Sequence, residues 1–217
     1  MIELQKRLLT SILLLIIIFL SLSNSTVLFF LLLAISFFSL IEFNNLLKNI
    51  YKQNNRKYFS SFLVCVIFLS IFFLLIWEFL VPFNNKNTIS IIFILLICAS
   101  TDIGGFIFGK LVGGKKLTQI SPNKTYSGVF GSFFLSIISG YFYFFFFKTY
   151  ILLEINYLIF ITIISLISQF GDLIISFLKR KAKLKDTGSL LPGHGGVLDR
   201  IDGILFALPF GLVLVSI

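Results

Sequence analysis

The sequence predicts an all-α fold, a polytopic integral membrane bundle of about seven transmembrane helices. Three observations lead there. Of 217 residues, 58% are hydrophobic and only 12% are charged, with a mean hydropathy of +1.03, whereas soluble domains carry about 25% charged residues. The apolar runs are each far longer than a strand, and in lipid a helix satisfies its backbone groups within one segment. At about 20 residues per crossing, six or seven helices and their connections consume the whole length, which excludes a second, water-soluble domain.

Polar clusters divide the chain into spans at approximately 8–23, 26–43, 59–80, 89–109, 127–147, 155–178 and 203–217. In the first, Lys6 and Arg7 precede an apolar run from Leu8 to Leu20. No A-x-A-like cleavage site follows and apolar sequence resumes at once, so it reads as a retained helix and not a signal peptide. Trp77 and Glu78 close the third span before Pro82 as an interfacial anchor. The last span, at 15 residues, must tilt little or end in the far head-group layer.

Charge orients the bundle. Lys and Arg total 18 against 9 Asp and Glu, a net charge of +9. Sixteen of the 18 fall in connections on one side, and only Lys86 and Lys148 on the other. That bias places the N-terminus and the two long loops, 110–126 and 179–202, in the cytoplasm. Cations confined to so few stretches outside lipid face anions: lipid head groups, nucleotides or both. Cys65 and Cys98 sit inside apolar runs without metal or disulfide spacing and read as core residues.

Nine acidic residues are few enough to place one by one. Glu3, Glu42, Glu78 and Glu154 lie at span ends, where water is close and no special role is needed. Asp102 and Asp172 lie six or seven residues inside their spans from the cytoplasmic end, a depth of roughly 10 Å at 1.5 Å per residue. A membrane aspartate costs on the order of 2.5–3.5 kcal/mol at mid-bilayer and is usually kept for a site. The competing expectation is a structural ion pair with a lysine of the basic loops. Gly171 precedes Asp172, and Gly104 and Gly105 follow Asp102 closely, which permits helices to approach.

Asp186, Asp199 and Asp202 share one cytoplasmic segment, Ser176 to Asp202. Five of the seven residues from Lys179 to Lys185 are basic, a flank suited to anionic lipid. Then Pro192 leads into Gly193, His194, Gly195 and Gly196, whose bare backbone N–H groups suit phosphate oxygens. Asp199 and Asp202 follow, three residues apart with Arg200 between them, and would share a face if helical. With Asp172 they suit Mg²⁺, which takes one or two carboxylates plus water and phosphate. His194, the sole histidine, has few packing neighbours among its glycines and reads as functional. The loop 110–126 repeats the theme with Gly113, Gly114, Lys115, Lys116, Ser121, Lys124 and Thr125, but without Walker spacing.

The segment from Ser176 to Asp202, with S-x-L-K-R, K-D, G, L-P-G-H-G-G and L-D-R-I-D in step, resembles the signature of the phosphatidate cytidylyltransferase (CDP-diacylglycerol synthase) family. Gly171-Asp172, the stretch from Thr101 to Lys110, and Ser121-Pro122 with Lys124-Thr125 and Gly128 resemble its other motifs in the same order. The resemblance covers about residues 100–217; the first 90 match in hydropathy only. Tyr126 and Ser127 depart from the usual Trp and acidic or amide pair, and the N-terminal half is short. The resulting division is 1–90, transmembrane helices for anchoring and lipid access, and 91–217, a catalytic region carrying both loops.

The resemblance implies transfer of a cytidylyl group from CTP to phosphatidic acid, with release of pyrophosphate. It implies a catalytic set of Asp172, Lys179, Arg180, Lys185, Asp186, His194, Asp199, Arg200 and Asp202. Substrate would meet Asp102, Ser121, Lys124, Thr125, Gly193, Gly195 and Gly196, and Mg²⁺ or another divalent cation would sit on Asp172, Asp199 and Asp202, with room for a second cation. The expected setting is a bacterial inner membrane with the site facing the cytoplasm. A homodimer is within expectation, and no nucleic-acid partner is expected. The charges fit such chemistry independently, because two unit charges about 4 Å apart repel by roughly 4 kcal/mol at an effective dielectric of 20. Cations at Lys179, Arg180, Lys185, Arg200 and Lys124 would offset that, and the oxyanion nucleophile needs no strong base, leaving His194 to donate hydrogen bonds. The alternatives are a CTP-dependent lipid-alcohol kinase and a non-enzymatic transporter or membrane subunit. No internal repeat supports the transporter.

Overall fold

In a computed structural model, residues 12–216 are described except 14–15, 82–83, 119–120, 122–123, 152 and 192–194. Among them the order is α1 (Ser25–Ile50), α2 (Asn55–Leu80), α3 (Asn85–Leu111), α4 (Tyr126–Phe147), α5 (Tyr157–Lys181), α6 (Leu198–Ile201) and α7 (Ile204–Ser216). The all-α expectation holds. Five helices, α1 to α5, are long and apolar enough to cross a membrane. The first expected span, 8–23, is helical at residues 12–13 and 16–21, and its residues 8–11 and 14–15 lie outside the described ones. The last is α7, whose 13 residues rise only about 20 Å.

The helices outrun their apolar runs because asparagines that look like connectors are caps. Asn24 accepts from Thr26 N–H and Val27 N–H, Asn54 from Lys57 N–H at 3.0 Å, and Asn84 from Asn87 N–H at 2.7 Å. Each satisfies N–H groups that the first helical turn leaves unpaired. α5 ends in a Schellman motif, with Leu184 N–H on Lys179 O at 2.9 Å and Lys183 N–H on Arg180 O at 3.0 Å. Lys183 takes the left-handed position at φ 59°.

The chain forms two compact units. One comprises Met1–Phe83 with Leu178–Ile201, the other Asn84–Phe177 with Asp202–Ile217. In the first, α1 and α2 are joined by a short turn and packed along Leu28, Leu32, Leu69, Phe72 and Ile76. In the second, α3, α4 and α5 meet at Phe93, whose ring stacks on Tyr143 at 5.6 Å and Phe160 at 5.5 Å, and α7 packs on α3. Hydroxyls tie these helices together: Thr101 donates to Ser165 at 2.8 Å, Ser132 to Thr101 O at 2.8 Å, and Ser139 to Ser100 at 2.7 Å. This is how helices associate where lipid supplies no hydrophobic drive. The anticipated close approach at Asp102 is present, since a Cβ on Gly104 would collide with the Gly131 carbonyl and one on Gly105 would lie 2.8 Å from Ser132 Oγ.

Candidate active site

In the second unit, three aspartates from three elements come together. Asp102 projects from α3, Asp172 from α5, and Asp202 from the turn before α7. Gly171 makes this arrangement possible, because a Cβ there would stand 2.6 Å from Asp202 O and 2.8 Å from Phe206. The turn after α6 therefore presses directly on α5, and Asp202 becomes the neighbour of Asp172. Burial, the Asp172 carboxylate and more distantly Asp102 hold the Asp202 carboxyl well above the usual carboxylate range.

Lys124 answers these carboxylates. Lys124 Nζ lies 2.6 Å from Asp172 Oδ2, with side chains 25% and 28% exposed. Ser176 Oγ donates to Asp172 Oδ1 at 3.2 Å. The expected lysine pairing thus forms at Asp172, while Asp102 is exposed and makes no ion pair among the described residues. Lys124 is delivered by a closed loop. Leu117 N–H donates to Lys124 O at 2.8 Å, Tyr126 N–H to Lys115 O at 3.2 Å, and Lys124 N–H to Ser121 O at 3.0 Å. Thr125, buried, caps α4 by accepting from Gly128 N–H at 3.1 Å, and Ser127 donates to Gly113 O. The Thr125 hydroxyl is therefore engaged in building the loop.

The first unit holds the rest of the signature segment, where donors surround Asp199. Asp199 Oδ1 receives Lys179 Nζ at 2.7 Å, and Oδ2 receives Thr187 N–H at 2.9 Å and Gly196 N–H at 3.2 Å. Burial alone would raise the Asp199 carboxyl, but the Lys179 and Thr187 hydrogen bonds outweigh it and hold it below the usual range. Lys185, Asp186, Arg180 and Arg200 are exposed. Gly193 and His194 lie outside the described residues. Leu191 and Gly195 exchange two backbone hydrogen bonds, 2.9 and 3.1 Å.

Three expectations need correction. The N–H groups of Gly195 and Gly196, expected to lie bare toward phosphate, bond instead to Leu191 O and Asp199 Oδ2. The helix carrying Asp199 stops at Ile201, so Asp199 and Asp202 do not share a helical face. Glu42, assigned no role at a watery span end, is 5% exposed. It accepts from Thr187 Oγ at 2.6 Å, Val197 N–H at 2.9 Å and Leu198 N–H at 2.9 Å. Glu42 and Thr187 were missed because their partners are 145 to 156 residues apart in sequence. The only available signal was a carboxylate inside an otherwise apolar run.

Among the described residues no three carboxylate, thiol or imidazole groups lie close enough to enclose an ion by themselves. Mg²⁺ asks for less, one or two carboxylates with water and phosphate completing the shell. Asp172 and Asp202, neighbouring hard oxygen donors, fit that demand.

Residues 3–217 match the profile described as the cytidylyltransferase family. Among similar proteins is a phosphatidate cytidylyltransferase of Helicobacter pylori (strain ATCC 700392 / 26695), 40% identical over 134 residues, 57% of this chain and 46% of that protein. The phosphatidate cytidylyltransferase of Staphylococcus aureus (strain COL) is 44% identical over 124 residues, 55% of this chain and 46% of that protein. The chain spans about half the length of the curated relatives it matches.

Proposed function

Because the chain belongs to the cytidylyltransferase family, we propose that it transfers the cytidylyl group of CTP to phosphatidic acid, forming CDP-diacylglycerol and pyrophosphate. The observation that carries this reading is the convergence of Asp102, Asp172 and Asp202 with Lys124 in a chain of membrane-length helices. A phosphate oxygen of the lipid attacks the α-phosphorus, the new P–O bond forms, and the bond to the β-phosphate bridging oxygen breaks with departure of pyrophosphate. The nucleophile is already an oxyanion, so no proton must be removed.

Asp172 and Asp202 would hold Mg²⁺ or a related divalent cation. When bound, that ion supplies charge neutralisation on the phosphates and orients the α-phosphorus. Lys124, at the aspartates, and Lys179, Arg180, Lys185 and Arg200, along the basic segment, offset charge on the lipid phosphate and on pyrophosphate. His194 donates hydrogen bonds to phosphate. The site faces the cytoplasm of a bacterial inner membrane, in keeping with the Lys and Arg bias of the connections, and the chain works as a monomer or homodimer.

The test is a turnover assay with purified protein, phosphatidic acid and CTP labelled at either the α- or the γ-phosphorus. Label from the α position is expected in the lipid, with one pyrophosphate released per lipid modified. Label in the lipid from the γ position, with CDP released and diacylglycerol as acceptor, would establish a kinase instead.

A further inference from the structure

We propose that Glu42 is a positioning residue for this reaction: from α1 it pins the signature segment and so sets the geometry of Asp199 and Lys179. The inference rests on the cytidylyl-transfer reading for its assay and on the first unit alone for its geometry.

A carboxylate inside an apolar helix is expensive and is kept where it has partners. Glu42 has three, all donors from the signature segment. Its Oε1 accepts from Val197 N–H, and its Oε2 accepts from Leu198 N–H and the Thr187 hydroxyl. Val197 and Leu198 lead into the four-residue helix α6, and their N–H groups would otherwise be buried without partners. Among the described residues no cation pairs with Glu42, so its charge is balanced by these hydrogen bonds alone. The fit leaves no slack. A Cβ on Gly188 would lie 2.7 Å from Oε1, and one on Gly196 would lie 2.5 Å from Oε2 and collide with Thr187 Oγ. Both glycines therefore serve to bring backbone against the Glu42 carboxylate.

Thr187 links the two acids. Its hydroxyl lies 2.6 Å from Glu42 Oε2 and 3.0 Å from Asp199 Oδ2, while its N–H donates to the same Asp199 oxygen. Asp199 in turn holds Lys179. The series Glu42, Thr187, Asp199, Lys179 fixes a backbone turn, a carboxylate and an ammonium, and Glu42 and Thr187 act through the last two. Small errors in such an arrangement reduce turnover more than ground-state binding.

The experiment compares Glu42→Gln, Thr187→Val, the double variant and Thr187→Ser in full-length protein, normalised to folded material by gel filtration in detergent. Glu42→Gln replaces one acceptor oxygen with a donor facing other donors. It and Thr187→Val should each lower kcat about tenfold or more, with KM for CTP and for phosphatidic acid each within about threefold of the parent. The double variant should lose little beyond the worse single, because both break one linkage. Thr187→Ser, which keeps the hydroxyl, should restore kcat to within about threefold. If Glu42→Gln does not fold, Thr187→Val and Thr187→Ser decide. Parental kcat in Thr187→Val, or multiplicative losses in the double variant, would overturn the positioning role. An inactive parent protein would instead strike the cytidylyl-transfer reading, a separate failure.

Discussion

The two carboxylate clusters of this chain use the same chemical group in opposite ways. In the first unit, Glu42 and Asp199 are surrounded by donors: four backbone N–H groups, one hydroxyl and one ammonium converge on their four oxygens. In the second, Asp172 has Lys124 and Ser176, Asp202 accepts from its neighbour Gly203 N–H at 2.8 Å and lies against Asp172, and Asp102 stands exposed. A saturated carboxylate is part of the scaffold, because each of its oxygens already has a donor. An under-compensated group of carboxylates holds negative charge that a proton or a metal ion must answer, and such a site is suited to chemistry on phosphates.

Substitution to asparagine separates the two roles. Asp172→Asn should reduce turnover about a thousandfold while the thermal midpoint in detergent stays within about 2 °C of the parent, since the Lys124 pair it breaks is partly exposed. A stable, active Asp172→Asn would move the divalent site elsewhere. Asp199→Asn should instead cost about 3 kcal/mol of stability, because it strands the Lys179 ammonium. Denaturation in detergent checks it, and an unchanged midpoint would show that the first cluster does not hold its unit together.

The contrast sharpens with two smaller changes. Gly171→Ala puts a methyl 2.6 Å from Asp202 O and should destabilise by about 2 kcal/mol through overpacking, with activity falling further than the folded fraction because Asp202 is displaced from Asp172. Equal losses of activity and folded fraction would argue that Asp202 placement is not critical. Thr125→Ala removes the α4 cap and the contact with the Ser127 hydroxyl and should cost about 1 kcal/mol, read as a small drop in thermal midpoint with turnover retained. A larger loss of turnover would assign the Thr125 hydroxyl to substrate after all.

Much of the fold is legible in the chain because lipid leaves few choices. A run such as 59–80 cannot be anything but a helix when no water is present to satisfy its backbone, and α2 follows it to the same last residue. The beginnings were less legible. Asn54 and Asn84 look like loop residues by composition, and only their bonds to Lys57 N–H and Asn87 N–H show them to be caps. The signature motifs, with Asp172, Asp199 and Asp202, could be picked out by residue type and spacing alone. Spacing misplaced what followed, since three residues between Asp199 and Asp202 imply a shared helical face only if the helix continues past Ile201.

The sequence by itself determined that this chain is a helical membrane protein, which stretches lie outside the apolar spans, and which acids and bases are candidates for work on phosphates. Those properties follow from local composition and from hydropathy summed along the chain. Tertiary structure alone decided the partners: Lys124 on Asp172, Lys179 on Asp199, and Glu42 under a segment 145 or more residues away. Which carboxylate is scaffold and which is left for chemistry depends on how many donors reach its oxygens, and that number is set by packing between elements that have no periodic relation in the chain.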